Sequence, residues 1–180
     1  MALIDVPQGL PGIIGLLAKF PKTAHPLSLL AETLLTKGTD GFSVTERETL
    51  ASYVSFLNDC QFCSESHAAV ADAHAKERGF AKKLWETLDA SSVTPRFRAL
   101  MKIAAKVQKG GRGVTVDDVA MATREGATQA EVHDAVLIAA AFCMYNRYVD
   151  GLATIAPPRG SDAYIAMGAD LAATGYMKTF

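Results

Sequence analysis

Residues 128–155 read TQAEVHDAVLIAAAFCMYNRYVDGLATI, a stretch with a strong helical pattern. Thr128, followed three residues later by Glu131, forms a capping box, which is typical of a helix start. Beyond it the stretch is apolar on nearly every face, as expected for a helix at the centre of a helical protein. We expect this helix to continue until Pro157-Pro158, because proline lacks the backbone N–H that the next helical turn needs.

The other segments also follow the helical period, and none shows the alternation of a strand. A second capping box, Ser43 with Glu46, starts the helix before the cysteines, and Pro95 suits the first turn of a later helix. Further helices are predicted over residues 25–38 (ending at Gly38), 43–57, 60–78, 80–90, 94–109, 115–126 and from about 161 onward. The sequence therefore predicts an all-α bundle of about eight helices.

Length and charge narrow the class of protein further. With 180 residues the chain fits one domain over residues 1–180. Its formal net charge is -1, with both signs scattered, so neither nucleic acid nor a membrane surface is an expected partner. The 49% hydrophobic content favours a homo-oligomer, in which part of the surface is buried between subunits.

The cysteine usage points to the cytoplasm. The N-terminal residues lack a secretory signal, and the longest uncharged apolar run, residues 135–145, is too short to span a membrane. Three cysteines are unlike a secreted disulfide framework. In a reducing compartment, a close cysteine pair is more often catalytic or metal-binding than structural.

Residues 58–67, NDCQFCSESH, hold such a pair. On a helix Cys60, Cys63 and His67 share one face. With Asn58 or Asp59 as the N-cap, we expect Cys60 in the first turn, where the helix dipole lowers the pKa of a thiol. Helical neighbours at this spacing have Cβ atoms about 5–6 Å apart against about 4 Å in a disulfide, so the pair could close after a modest adjustment into an easily reduced bond.

Other roles for the pair are weighed against redox chemistry. A structural zinc needs four ligands, and this stretch supplies Cys60, Cys63 and His67 without a fourth. Attachment of c-type haem is excluded, because Ser64 stands where the histidine would follow the second cysteine. Two core cysteines on an amphipathic helix remain a valid interpretation.

A polar stripe on the preceding helix adds a candidate base. Glu48, Ser52, Ser55 and Asp59 follow one another at helical spacing. The stripe is either a solvated face or a face turned toward the cysteines, with Glu48 as proton acceptor. The spacing alone leaves both interpretations open.

Taken together, these positions resemble a known signature. Glu48, Ser55, Asn58, the CxxC of Cys60 and Cys63, and His67 are similar in order and spacing to the motif of the AhpD-like alkylhydroperoxidases, a branch of the carboxymuconolactone decarboxylase superfamily. The stretches PGIIGLLAKFPKTAHPLSLLAETLL, TPRFRALMKIAAKVQ and AEVHDAVLIAAAFCMYNRYVDGLA resemble the subgroup known as peroxidase-related enzymes. Together they cover most of the chain.

The resemblance implies an AhpD-like helical fold, with the CxxC at a helix N-terminus and subunits assembled into dimers, trimers or hexamers. It implies a peroxidase for alkyl hydroperoxides without a cofactor beyond the dithiol, re-reduced by a dithiol or thioredoxin-like partner. By the same resemblance Cys63 is the peroxidatic cysteine, Cys60 resolves it, and Glu48 and His67 relay protons. One departure stands out, since Phe62 replaces a histidine of the founding peroxidases.

Two alternatives to the peroxidase stay open. One is a lyase of the decarboxylase type on the same scaffold, and the other is a non-enzymatic redox or zinc-binding protein.

Among the remaining candidates, Arg147 and Asp150 are spaced for an ion pair, in a block with Asn146 for which we expect a structural or subunit-contact role. Cys143 is expected to be a buried inert thiol, and His74 lies nearly on the face of His67.

Overall fold

The computed structural model describes residues 2–37, 41–88 and 93–177, and within them the chain forms nine α-helices and no strand. The helices are α1 (Gly12–Lys19), α2 (Pro21–Glu32), α3 (Val44–Leu57), α4 (Gln61–Ala75), α5 (Phe80–Glu86), α6 (Pro95–Lys109), α7 (Val116–Arg124), α8 (Gln129–Gly151) and α9 (Asp162–Thr174). A π-helical turn, Thr33–Lys37, extends α2, and a 3₁₀ turn, Gly111–Gly113, precedes α7. The all-α prediction is confirmed.

Local signals placed several helix starts correctly. The side chain of Ser43 accepts a hydrogen bond from the Glu46 backbone N–H while Glu46 bonds back to the Ser43 N–H, and Thr128 forms the same box with Glu131. Thr94 caps α6, whose first residue is Pro95. These boxes satisfy the unpaired N–H groups of the first turn, which is why they can be recognised from the sequence.

Other bounds differ from the prediction. The stretch before residue 25 forms α1 and the first turn of α2, and Pro26 lies inside α2. The central helix ends at Gly151 rather than at Pro157-Pro158, because Ala153 takes a left-handed conformation with φ of 49°. The predicted stop at Gly38 lies outside the described residues, and the helix predicted over residues 80–90 ends at Glu86.

Helix α8 packs against α3 and α6 at the centre of the main core. Its buried face presents Ala135, Ile138, Ala139 and Phe142, and burying such side chains supplies most of the free energy of folding. The helix is central, as predicted, but not every face of it is buried: Leu137 is 38% exposed and Met144 is 42% exposed. The described helices include none with both the length and the apolar character that crossing a bilayer requires.

Helix α4 lies between α3 and α9 and packs extensively against both. Gly168 on α9 permits the close approach, since a Cβ atom there would lie 2.5 Å from the backbone of Ala69. The packing buries the face of α4 that holds the cysteines. The candidate site is therefore an interior site, framed by helices that are far apart in the sequence.

A buried ion pair ties α3 to α8. Arg47 donates to a carboxylate oxygen of Asp134 at 2.8 Å and to the carbonyl of Leu34 at 2.9 Å. The side chains of Arg47 and Asp134 are 2% and 4% exposed. Because each charge is removed from water, removing one partner deprives the other of the charge that best balances it.

Candidate active site

The connection between α3 and α4 places the two cysteines. Asn58 ends α3, and Asp59 adopts a left-handed conformation with φ of 55°. Cys60 is the N-cap residue of α4. The prediction that Asn58 or Asp59 caps α4 is wrong, because the turn at Asp59 delays the helix start and leaves the Asp59 side chain exposed, next to Arg159.

Both thiols lie in the interior at the start of α4. Cys60 is fully buried and Cys63 is 3% exposed, and both are free thiols. A hydrogen bond with Cys60, burial and the charge of Cys60 together raise the pKa of Cys63 well above its usual value. This thiol needs a base before it can act as a nucleophile.

Asn146 joins this site from α8. Its amide donates to the hydroxyl of Ser55 at 3.0 Å and its carbonyl accepts from Asn58 at 2.8 Å. A hydrogen bond from Asn146 to Cys63 opposes the rise in the pKa of that thiol. The side chain of Asn146 therefore links α8 to the end of α3 and also reaches Cys63, a contact that was not predicted.

Arg147 and Asp150 do not form the expected ion pair. Arg147 donates instead to the backbone carbonyl of Cys143 at 2.8 Å, one turn back on α8. Burial raises the pKa of Asp150, while a hydrogen bond with Cys60 acts in the opposite direction. Asp150 therefore contacts Cys60, a contact that the spacing of Arg147 and Asp150 did not predict. Cys143, predicted to be buried, is half-buried and lies 3.5 Å from the amide of Asn58.

The polar stripe of α3 faces the interior, which agrees with the interpretation that it is turned toward the cysteines. Glu48, Ser52 and Ser55 are fully buried, whereas Asp59 at the end of the stripe is exposed. Ser52 donates to the backbone carbonyl of Ser64 on α4 at 2.8 Å. The stripe is thus the contact face between α3 and α4, not a solvated surface.

Glu48 and His67 meet across this contact face. Glu48 Oε2 lies 2.8 Å from Nδ1 of the His67 ring. The edge of Phe142 packs against the same ring, with the ring centroids 4.6 Å apart. With Nδ1 held by the carboxylate, Nε2 is the ring nitrogen available for exchanging a proton with another group.

Tyr176, on the segment after α9, contacts both Glu48 and His67, and this contact was not predicted. Its hydroxyl donates to Glu48 Oε1 at 2.7 Å and lies 3.2 Å from His67 Nδ1. Its ring stacks on His67, with centroids 5.8 Å apart and planes inclined by 19°. Burial, followed by the charge and the hydrogen bond of Glu48, raises the pKa of Tyr176 well above its usual value. The phenol therefore stays protonated and acts as a donor.

An apolar cavity of about 320 Å³ leads to Cys63 and His67. Its walls come from α1, α2, α4, α8 and α9 and include Ile14, Leu27 and Leu171. Phe62 also lines it and packs on Tyr164, with ring centroids 6.3 Å apart. The residue that replaces the expected histidine is thus part of an apolar wall.

His74 does not reach the thiols. It lines a second cavity of about 250 Å³, together with Glu32, Glu48 and Tyr176. Among the described residues, no group of three or more His, Cys, Asp or Glu side chains is arranged to hold a metal ion. Cys63 and His67 both line the apolar cavity, whereas Cys60 precedes α4 as its N-cap residue and is not among the residues that line the cavity.

Solved structures share this AhpD-like helical architecture. The structure described as alkylhydroperoxidase AhpD core, an uncharacterized peroxidase-related protein from Ralstonia eutropha JMP134, is 24% identical, with 88% of this chain and 81% of that chain covered and a TM-score of 0.75. An uncharacterized peroxidase-related protein from Silicibacter sp. TM1040 is 18% identical, with 93% and 95% covered and a TM-score of 0.77. These likenesses confirm the predicted AhpD-like fold. No protein-family model and no curated protein matches the chain.

Proposed function

We propose that this protein is a thiol-dependent peroxidase that reduces alkyl hydroperoxides through Cys60 and Cys63. The observation that best supports it is the shared cavity: Cys63 and His67 both line it, and the buried Glu48 holds His67 from behind. A thiol, a base and an apolar space for an organic peroxide thus occur together. The two structural neighbours are both described as peroxidase-related proteins, which supports this class of activity.

The proton transfers follow from the pairing of Glu48 and His67. The Glu48 carboxylate accepts a hydrogen bond from the Nδ1–H group of His67. Nε2 of the same ring is then free to act as the base that takes the thiol proton of Cys63. This base is needed because burial and Cys60 raise the pKa of Cys63. His67 then returns the proton to the oxygen that leaves, so the relay ends each oxidation step in its starting state.

The redox steps balance with one external dithiol. The Cys63 thiolate attacks the terminal peroxide oxygen, the O–O bond breaks, and Cys63 becomes a sulfenic acid while an alcohol leaves. The Cys60 thiol then displaces water from the sulfenic acid and forms the disulfide with Cys63. A dithiol of the thioredoxin type supplies two electrons and two protons, which restores both thiols. The predicted cytoplasmic location suits this step, because reduced dithiols are maintained there.

The cavity favours a peroxide with an apolar organic group. Its walls are mainly aliphatic and aromatic, and Phe62 adds a further apolar ring next to Cys63. Burying the organic group of the substrate contributes binding free energy in proportion to its apolar area. Hydrogen peroxide lacks this contribution and is expected to be the poorer substrate.

The predicted homo-oligomer remains part of the proposal. Leu137 and Met144 expose apolar surface on the outer side of the central helix α8. The two residues are seven positions apart and so lie on one face of the helix, which is the face that we propose a second subunit covers.

Replacement of the attacking thiol tests the function. Cys63→Ser should abolish consumption of cumene hydroperoxide in the presence of dithiothreitol, because serine cannot form a sulfenic acid. Cys143→Ser is the matched control, since it also removes one thiol but lies outside the cavity, and it should retain turnover. Unchanged turnover in Cys63→Ser, with helix content preserved by circular dichroism, would overturn the assignment.

A further inference from the structure

Tyr176 contacts both members of the Glu48–His67 pair, yet the proposed chemistry assigns it no step. Its hydroxyl donates a hydrogen bond to Glu48 Oε1 at 2.7 Å, while Oε2 of the same carboxylate lies 2.8 Å from His67 Nδ1. The two oxygens of this fully buried carboxylate therefore have different partners. A buried charge without donors is costly, so each of these hydrogen bonds helps to keep the group ionised.

The segment that holds Tyr176 is fastened to α2. The backbone N–H of Tyr176 donates to Oε2 of Glu32 at 2.8 Å. Gly175 precedes it with φ of 71°, and a Cβ atom at this position would lie 2.6 Å from the same carboxylate oxygen. A side chain at residue 175 would push the segment away from Glu32. The position of the phenol is thus set by contacts outside the catalytic pair.

The ring of Tyr176 also separates two spaces. It lines the apolar cavity that leads to Cys63, and it lines the second cavity, where Glu32 and His74 are found. Stacking of the ring on His67 fixes the plane of the imidazole between Tyr176 and Phe142. The imidazole therefore has little freedom to rotate away from Glu48.

We propose that Tyr176 is a positioning residue of the proton relay: its hydroxyl holds one oxygen of Glu48 so that the other oxygen orients His67 toward the apolar cavity. This inference rests on the proposed function, because it assigns Tyr176 a place behind the base that deprotonates Cys63. Loss of the hydroxyl removes the donor to Oε1 of Glu48 and loosens the orientation of the imidazole. Substrate contacts in the cavity are unaffected, because the ring remains.

The test compares Tyr176→Phe with Tyr148→Phe, a half-buried tyrosine on α8 that lines neither cavity. For Tyr176→Phe we expect the maximal rate with cumene hydroperoxide to fall about tenfold while KM changes less than about twofold, in line with partial loss of general-base catalysis. The pH–rate profile should also shift, since the Glu48–His67 pair loses one hydrogen-bond donor. Tyr148→Phe should match the wild type in both.

A readout without peroxide separates this inference from the proposed function. The rate at which iodoacetamide alkylates Cys63 can be measured as a function of pH by mass spectrometry of the Cys63 peptide. This pH profile should shift in Tyr176→Phe as the pH–rate profile of the peroxidase does. Glu32→Gln, which weakens the backbone contact of Tyr176, should show a smaller shift in the same direction and serves if Tyr176→Phe does not fold. Wild-type alkylation and rate profiles in Tyr176→Phe would overturn the inference, whereas peroxide turnover in Cys63→Ser would overturn the function alone.

Discussion

Glu48 and His67, nineteen residues apart in the sequence, are joined inside the protein by a 2.8 Å hydrogen bond. They meet because the short reversal at Asp59 folds α4 back along α3. The same reversal places Cys60 at the helix start and Cys63 one turn before His67. The thiols and the base therefore reach the site through one helical hairpin, which explains why their order and spacing form a recognisable motif.

Replacing the base should slow the reaction of Cys63 without removing the thiol. His67→Gln keeps a polar side chain but cannot take a proton, so the rate of Cys63 oxidation by alkyl hydroperoxide should fall about 10²–10⁴-fold at neutral pH. The loss should shrink as the pH rises, because hydroxide then ionises the thiol. His133→Gln, whose side chain is 66% exposed, is the control. A pH-independent loss in His67→Gln would argue against a role as base.

The buried Cys63 should make stability depend on alkaline pH. Its pKa is raised in the folded protein, so its contribution to stability is fully present below the unfolded pKa of about 8.5 and is lost as the pH rises above it. Urea unfolding of the reduced wild type should show the free energy of unfolding falling between about pH 8.5 and 10, by at most about 1.4 kcal/mol per unit from this group. Cys63→Ala should show a shallower fall, and equal slopes would contradict the burial of the thiol.

The buried ion pair of Arg47 and Asp134 should be costly to break on one side. Arg47→Met leaves the Asp134 carboxylate in the core with its main partner removed, and we expect a loss of about 3–5 kcal/mol in the free energy of unfolding. The double variant Arg47→Met, Asp134→Leu removes both charges and should be clearly more stable than the single variant. Urea titrations of the three proteins measure this. A double variant as unstable as the single one would show that the pair itself is not the cause.

Narrowing the apolar cavity should change the choice of peroxide. Ser28 is a small, buried residue of the cavity wall, and Ser28→Leu adds apolar volume inside it. The value of kcat/KM for cumene hydroperoxide should fall at least about tenfold, while hydrogen peroxide is little affected, because excluded bulk costs about 1–3 kcal/mol in such pockets. An equal change for both peroxides would indicate that the substrate does not occupy this cavity.

Features encoded over a few residues were predictable. The boxes of Ser43 with Glu46 and Thr128 with Glu131 depend on contacts three residues apart, and the helical pattern predicted the all-α class. Cys63 and His67 lie four residues apart within α4, so their common face followed from spacing alone. The helix start was misplaced by the local preference of Asn58 and Asp59 for capping, which the left-handed turn at Asp59 overrides.

Contacts made across the fold could not be predicted in this way. Tyr176 is 128 residues from Glu48, and no periodic pattern links the two positions. Asn146 and Asp150 lay in a block whose spacing suggested an ion pair along one helix, whereas tertiary packing directs both toward the cysteines. Such contacts depend on how helices pack, and the choice between a solvated and an inward stripe on α3 was decided by the same packing.

The most direct test of the peroxidase proposal is the product of one oxidation. Reduced protein, mixed with one equivalent of cumene hydroperoxide and followed by stopped flow, should lose two thiols per peroxide and release one equivalent of the alcohol. Mass spectrometry should then find Cys60 linked to Cys63, and Cys60→Ser should instead stop at the Cys63 sulfenic acid. Slow oxidation that is no faster than that of an unfolded control, or a linkage that omits Cys63, would contradict the proposal.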